Sequence, residues 1–461
     1  ENRPYDELSV GDGAELTRLC TTDDVYVFAS ASGNHNPLHL PEHDGDGDGI
    51  AEALMPAMWT GSLISAVLGN LLPGPGTRYR SQTLAFGPPA RIGDELVARV
   101  TVTEKGPGRR VSFDAEVVRA ADGARIVEGV AVVEAPEKKL RFEDLETPGL
   151  TVRRHRHFER LIARAEGLAP MRTAVVAPEE PHALGGALLA AEHGVIAPVL
   201  VGAPAKIEAA AAALGASLDG VEIVAADAHD AAAAAAVALV SEGRAAALMK
   251  GHLHTDELLR AAMAREAGLR TRRRLTHVFV MDVPGLDRPL LISDAAINIA
   301  PDLETKIDIV QNAIDLARAI GVETPKVGVL SAVENVNPKI PSSLDAALLS
   351  KMAERGQIAG GLVDGPLAMD NAIDREAART KGIRSSVAGR ADVLIAPDLD
   401  AGNMLAKELT FLAHAEGAGL VLGARAPIIL TSRADDATAR LASCAVAALH
   451  AAWAADGGGA A

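Results

Sequence analysis

Thr173-Ala174-Val175-Val176-Ala177, Pro198-Val199-Leu200-Val201, Gly220-Val221-Glu222-Ile223-Val224 and Ala245-Ala246-Ala247-Leu248-Met249 are short apolar stretches separated by Ala-rich segments, among them 208–214 and 231–242. The apolar stretches read as strands. The Ala-rich segments between them are strong helix formers rather than binding elements. Strand and helix in alternation predict a mostly parallel sheet with helical crossovers. The alternation resumes after Thr276 and continues to a final helix over 439–455, ahead of a Gly/Ala tail.

Upstream of residue 136 the pattern is different. Leu96 to Glu104, Arg110 to Arg119 and Ile126 to Val133 are strand-like, with turn signals at Gly106-Pro107-Gly108 and Asp122-Gly123. That is the pattern of an antiparallel meander. Met58 to Leu72 is apolar and free of turn residues until Pro73-Gly74-Pro75-Gly76 stops it, so one buried helix precedes the sheet. A sheet wrapped round one central helix is the hot-dog arrangement. Residues 136–148 are rich in Lys, Glu and Asp and carry two prolines, the composition of a linker. The expected fold is therefore an α+β hot-dog domain over 1–136, a linker over 137–150 and an α/β domain over 151–456.

A chain of 461 residues is too long for one ordinary core. Apolar residues make up 48% and aromatics 3%, so Ala, Val, Leu and Ile must fill the cores. The formal charge of −16 argues against nucleic acid as a partner, because phosphate-backbone binding needs a clustered basic surface. Cys20 and Cys444 lie far apart and have no metal-ligand spacing. The start Glu1-Asn2-Arg3-Pro4 is polar, and no apolar run approaches the roughly 18 residues of a membrane span. The expectation is a cytoplasmic protein that is neither exported nor embedded in a membrane.

Ordered motifs run through the α/β part: Met249-Lys250-Gly251-His252, Ile292-Ser293-Asp294-Ala295-Ala296-Ile297-Asn298, Pro325-Lys326-Val327-Gly328-Val329-Leu330-Ser331 and Asp364-Gly365-Pro366-Leu367-Ala368-Met369-Asp370-Asn371. Ala391-Asp392-Val393-Leu394-Ile395-Ala396-Pro397-Asp398, Ala401-Gly402-Asn403 and Leu430-Thr431-Ser432-Arg433 follow in order. The series resembles the phosphate acetyl/butyryltransferases, the phosphotransacylases that move an acyl group between coenzyme A and phosphate. The resemblance implies two α/β subdomains with the active site between them, about 151–270 with 418–456, and about 271–417. It implies no metal and no bound cofactor, a coenzyme A thioester being the substrate.

Such a site must hold phosphate and generate a thiolate. Arginine forks suit phosphate, and Ser432-Arg433 follows an apolar strand, at whose carboxyl end open α/β sheets bind ligands. The resemblance adds Arg260 as a second arginine and places a carboxylate base just after the Ser-Arg pair, here Asp435 in preference to Asp436. That base would deprotonate the coenzyme A thiol, and Ser432 would hydrogen-bond the charge developing in the transition state. Lys250, Gly251, Thr255, Asp294, Asn298, Asp370, Asn403 and Lys407 are the expected substrate-binding residues. Two alternatives stay open on the residues alone: Asp294 and Asn298 either touch ligand or cap a helix at Ala300-Pro301, and Asn403 and Lys407 either face the cleft or belong only to turn and helix. Asp436 stands where relatives often have serine. Arg272-Arg273-Arg274, the one basic run, would receive the 3′-phosphate of coenzyme A, or else form a solvated edge or a subunit interface.

In the first domain, Phe28-Ala29-Ser30-Ala31-Ser32-Gly33-Asn34-His35-Asn36-Pro37-Leu38-His39 resembles the signature of MaoC-type (R)-specific enoyl-CoA hydratases. Leu71-Leu72-Pro73-Gly74-Pro75-Gly76-Thr77, Leu84-Ala85-Phe86 and Ile92-Gly93-Asp94-Glu95 agree with it. That family pairs an aspartate with a histidine to activate water. The histidine is His39, but Asn34 stands in the aspartate position, and an amide cannot accept a proton. The N–H of Ala57 would polarise a thioester carbonyl and Ser62 would line the pocket. Either an active hydratase or a domain that only binds acyl-CoA follows. Asp44-Gly45-Asp46-Gly47-Asp48-Gly49 lacks the distal glutamate of a calcium loop and reads as an acidic loop.

The leading expectation is a phosphotransacylase with an attached acyl-CoA-binding domain. The alternative is an enoyl-CoA hydratase whose transacylase-like part only senses acyl-CoA. Expected partners are acyl-CoA, phosphate and acyl phosphate. Both families also imply a homo-oligomer.

Overall fold

The computed structural model describes residues 1–41, 43–47, 53–141, 156–431 and 437–458. The chain forms two compact units, Glu1–Val152 and Arg153–Ala461.

In the first unit, β1 (Gly13–Leu19) and α1 (Thr22–Ser32) lead to α2 (Ala57–Asn70), and then to β2 (Arg78–Gln82), β3 (Ala85–Phe86), β4 (Glu95–Lys105), β5 (Arg110–Arg119) and β6 (Arg125–Glu134). The strands form one antiparallel sheet in the order β1-β4-β5-β6-β2, with β3 paired to β6. Burial alternates along β4 and β5, which is why the meander was legible: Leu96, Ala98, Val100 and Val102 face inward, as do Val111, Phe113, Ala115 and Val117. Trp59, Leu63, Ile64, Val67 and Leu68 of α2 share a core with them. Burying each such large side chain contributes about 1.5–3 kcal/mol, and this buried face holds a helix that has no capping side chain. The expected linker is described only over its first residues, 137–141. Leu140 N–H donates to Asn2 Oδ1 at 2.7 Å and Asn2 N–H to Leu140 O at 3.2 Å, so the segment after Pro136 is tied to the first unit.

The second unit runs α3 (Arg156–Glu166), β7 (Met171–Val176), α4 (Pro181–Glu192), β8 (Ile196–Gly202), α5 (Pro204–Leu214), β9 (Glu222–Ala225), α6 (His229–Ser241), β10 (Ala247–Lys250) and α7 (Thr255–Ala262). It continues β11 (Thr276–Asp282), β12 (Leu290–Ser293), α8 (Leu303–Ala319), β13 (Lys326–Leu330), α9 (Pro341–Glu354), β14 (Leu362–Leu367), α10 (Met369–Ile373), α11 (Arg375–Thr380), β15 (Val393–Ile395), α12 (Leu399–Phe411), β16 (Glu416–Leu422), β17 (Ile428–Ile429) and α13 (Ala437–Ala455). One 11-stranded sheet has the order β14-β13-β15-β12-β11-β16-β17-β10-β7-β8-β9. From β17 to β9 every neighbour is parallel, and from β12 to β14 likewise. The pairs β12–β11, β11–β16 and β16–β17 are antiparallel, so two parallel halves of opposite polarity meet at β11 and β16. Residues of α3, α4, α5, α8, α9 and α13 cover one face of the sheet. Those of α6, α7, α10, α11 and α12 cover the other, giving three layers.

Candidate active site

A cavity of about 520 Å³ lies between the β11–β16 strand pair and α12. His277, Phe279 and Met281 project into it because alternate residues of a strand share a face. Asn403, Ala406, Lys407, Thr410 and Phe411 form the facing stripe of α12 at helical spacing. Gly417 and Gly419 of β16 sit opposite Met281 and Phe279, so no side chain from β16 fills the space between sheet and helix there. Thr255 at the start of α7 and Thr431 at the end of the β17 segment complete the wall.

Three of the expected substrate residues meet here: Thr255, Asn403 and Lys407. Lys407 is exposed, and its ammonium has no ion pair among the described residues. Asn403 Nδ2 donates to Ala295 O at 3.0 Å, so it also anchors the loop after β12. Gly402 makes that approach possible, since a Cβ there would stand 2.3 Å from Asp294 O.

Asp294 has a structural task in that loop. At 2% exposure, its carboxylate accepts from the N–H groups of Ala296, Ile297 and Asn298 and from Asn298 Nδ2. Asn298 Nδ2 also donates to Leu275 O at 2.9 Å. The helix cap expected of this pair at Ala300-Pro301 is corrected: α8 starts at Leu303, and Asp302 caps it by accepting from Thr305 N–H at 2.8 Å.

Other expected residues lie outside the cavity wall. Lys250 is buried at the end of β10 with Nζ 3.4 Å from Gly251 O. Gly251 permits a backbone crossing, because a Cβ would fall 2.3 Å from Val176 O and 2.5 Å from Ala177 O. Arg260 is exposed on α7 and pairs with Asp256 at 3.0 Å, one helical turn earlier. Asp370 follows the edge strand β14, and its hydrogen bond to Lys381 holds its carboxyl below the usual carboxylate range. Ser432, Arg433, Asp435 and Asp436 lie outside the described residues. Thr431, directly before them, is 4% exposed and accepts from Arg440 Nη1 at 2.7 Å.

Sequence reasoning missed His277 and Arg440. His277 is 1% exposed and packs edge-to-face on Phe279 with ring centroids 4.4 Å apart. Its imidazole makes no hydrogen bond to a described group, and Nδ1 is fully buried. Burial pushes its pKa down to about 4, against the opposing pull of the Asp294 charge. A polar residue in the same strand register as Phe279 and Met281 was the available signal. Arg440 had none, being a cation inside an Ala-rich helix that takes its meaning from Thr431.

In the first unit, His39 ends a short 3₁₀ turn and its Nδ1 lies 3.1 Å from Leu54 O. A carbonyl only accepts, so Nδ1 donates in this contact, and Nε2 is the ring nitrogen left for a base role in the neutral ring. Asn34 is exposed, and its Oδ1 accepts from Asn36 N–H at 3.2 Å. Ala57 opens α2, whose N-terminus has no side-chain cap, and Ser62 Oγ donates to Trp59 O at 2.7 Å. Asp44 Oδ1 accepts from Gly47 N–H in the acidic loop, and residues 48–52 lie outside the described residues. Among the described residues no group of three or more His, Cys, Asp or Glu could hold a metal ion. No helix among them is long and apolar enough to cross a membrane.

A strand-helix cleft at a sheet whose halves reverse polarity defines an α/β protein with a cavity beside β17, and comparison with known proteins gives its family. Residues 228–448 match the model described as Phosphate acetyl/butaryl transferase, and residues 11–124 match the MaoC like domain. A phosphate acetyltransferase from Rhizobium meliloti is 62% identical over 295 residues, covering 64% of this chain and 93% of that protein. A phosphate butyryltransferase from Clostridium acetobutylicum is 41% identical over 292 residues, 63% of this chain and 97% of that one. A solved branched-chain phosphotransacylase from Enterococcus faecalis V583 matches with 30% identity and a TM-score of 0.54, over 61% of this chain and 99% of that chain. The chain belongs to the phosphate acetyl/butyryltransferase family and carries a MaoC-like domain ahead of it.

Proposed function

We propose that the second unit transfers an acyl group of the acetyl or butyryl class between coenzyme A and inorganic phosphate. The observation that carries this reading is the cavity beside β17, whose wall includes Thr431, the residue that leads into Ser432 and Arg433. In the direction of thioester synthesis, Asp435 takes the thiol proton. The thiolate attacks the carbonyl carbon of the acyl phosphate, and inorganic phosphate leaves. Arg433 and Arg260 hold the phosphate as planar donor forks, Ser432 donates to the developing charge, and Lys407 adds a cation at the cavity mouth. Arg260 reaches the phosphate only on leaving Asp256, an exposed pairing worth little. Phe279, Met281 and Phe411 offer the acyl chain an apolar wall. Coenzyme A thioester enters as substrate, and no step calls for a resident cofactor or metal.

The first unit binds acyl-CoA in this account and hydrates poorly, since His39 retains a basic Nε2 but Asn34 supplies no partner base. The family resemblance supports a homo-oligomer working in the cytoplasm.

The test is thioester formation by the full chain given coenzyme A and acetyl, propionyl or butyryl phosphate in turn. Turnover that falls roughly 10²–10³-fold in Arg433→Ala supports the reading. Unchanged turnover in that variant removes Arg433 from the site, and absence of turnover despite coenzyme A binding favours an acyl-CoA sensor.

A further inference from the structure

A second hollow, of about 330 Å³, lies on the other face of the sheet. Its walls come from the segment before β11 (Thr271, Arg272, Arg273), the segment after β16 (Gly423, Ala424, Arg425), α8 and α13. The helices α8 and α13 pack on the face opposite α12, and Asn312 of α8 reaches Thr276 Oγ1 at 3.0 Å, next to His277 but on the reverse side of β11. This hollow is therefore separate from the 520 Å³ cavity.

Its charge is unusual for a chain of formal charge −16. Three guanidinium groups face one carboxylate, Asp315, which Arg273 already engages together with Asn312. Arg272 and Arg425 are exposed, and neither side chain has an ion pair or hydrogen bond among the described residues. The two segments that carry them are fastened together. Thr271 Oγ1 donates to Gly423 O at 2.5 Å, Arg270 and Ala424 form an isolated bridge, and Arg425 N–H donates to Leu269 O at 3.0 Å. The backbones are thus fixed before any ligand arrives, which lowers the ordering cost of binding. In the same wall His450 has a buried Nδ1 without a partner, a polar atom whose burial unpaired carries a cost.

We infer that this hollow is a second anion site, built for a phosphoryl group bearing two negative charges. Two unmatched guanidiniums balance a dianion and present the forked donors that suit its oxygens, whereas one carboxylate would leave a cation unpaired. Inorganic phosphate and a phosphate monoester such as the 3′-phosphate of coenzyme A share this chemistry.

The experiment compares the full chain with the double variant Arg272→Ala/Arg425→Ala, and with Arg355→Ala/Arg384→Ala as a control that loses the same charge from other exposed positions. Equilibrium dialysis of labelled inorganic phosphate needs no turnover, so its result is independent of the catalytic reading. The expected result is one phosphate fewer per chain in the first variant alone, or an affinity there weakened at least about tenfold. A second arm measures KM for coenzyme A and for 3′-dephospho-coenzyme A. If the monoester is the ligand, a preference for coenzyme A in the parent chain disappears in the first variant alone. Phosphate stoichiometry, affinity and KM ratio all unchanged between parent and first variant, or altered equally by the control, would overturn the proposal.

Discussion

At His277, burial beside Phe279 withholds the proton that an exposed imidazole takes up near its ordinary value of 6.5, and the ring stays neutral down to about pH 4. The unfolded chain binds that proton first, so stability is complete above about 6.5, falls as pH drops toward 4, and loses no more below it. The loss expected from this one residue is on the order of 3 kcal/mol. Chemical denaturation between pH 7 and 4 checks it: His277→Gln flattens the slope by about one proton, and an unchanged slope contradicts the assignment. His450, whose pKa burial also pushes down to about 4, adds to the slope in the same sense. In the proposed function, Asn34 limits hydration by the first unit. Asn34→Asp restores a carboxylate partner for His39, and hydration of crotonyl-CoA is expected to rise about a hundredfold; no gain means that the missing base is not the limit. Such residues differ in how they could be read. Asn34 and His39 stood in a recognisable motif, while His277 is one histidine in an apolar strand and only the fold shows what surrounds it.

The meander strands, the central helix of the first unit and the first strands of the second lie close to the bounds read for them, because burial alternates cleanly in β4 and β5 and the crossovers are Ala-rich, whereas β1, α1 and most elements between β11 and α13 were given no bounds. The reversal of polarity at β11 and β16 was not read, although its signal is present. Parallel neighbours need a crossover of a dozen or more residues, but only 283–289 separate β11 from β12 and 423–427 separate β16 from β17, with Pro284-Gly285 in the first of these. At the helix level, α12 depends on Gly402 to reach the loop that Asn403 anchors. Gly402→Ala is expected to lower the denaturation midpoint by the equivalent of about 1–3 kcal/mol and to raise KM as Asn403 and Lys407 shift. Gly69→Ala on α2, where a Cβ meets nothing within 4 Å, is the contrast and should be neutral or stabilising. Equal effects of the two substitutions would show that the close approach at Gly402 is not needed.

Across the whole chain, each unit has its own hydrophobic core, and the curated transacylases cited above correspond to the second unit alone. That division follows from composition as much as from motifs, since the chain changes from an alternating antiparallel pattern to strand-helix alternation on either side of the Pro136–Pro148 segment. The site between β11, β16 and α12 was only partly visible beforehand. Thr255, Asn403 and Lys407 converge on it, whereas the contacts of Asp294 and Gly251 are with loop N–H groups and neighbouring backbone, which motif order does not distinguish from ligand contact. The account as a whole stands on acyl transfer to phosphate. Its most direct test is release of free thiol from butyryl-CoA by the full chain as inorganic phosphate is varied, with hydroxylamine trapping of the product. The account predicts release that requires phosphate and yields one trapped acyl phosphate per thiol. Thiol release at the same rate without phosphate, or none with any acyl chain, would contradict it.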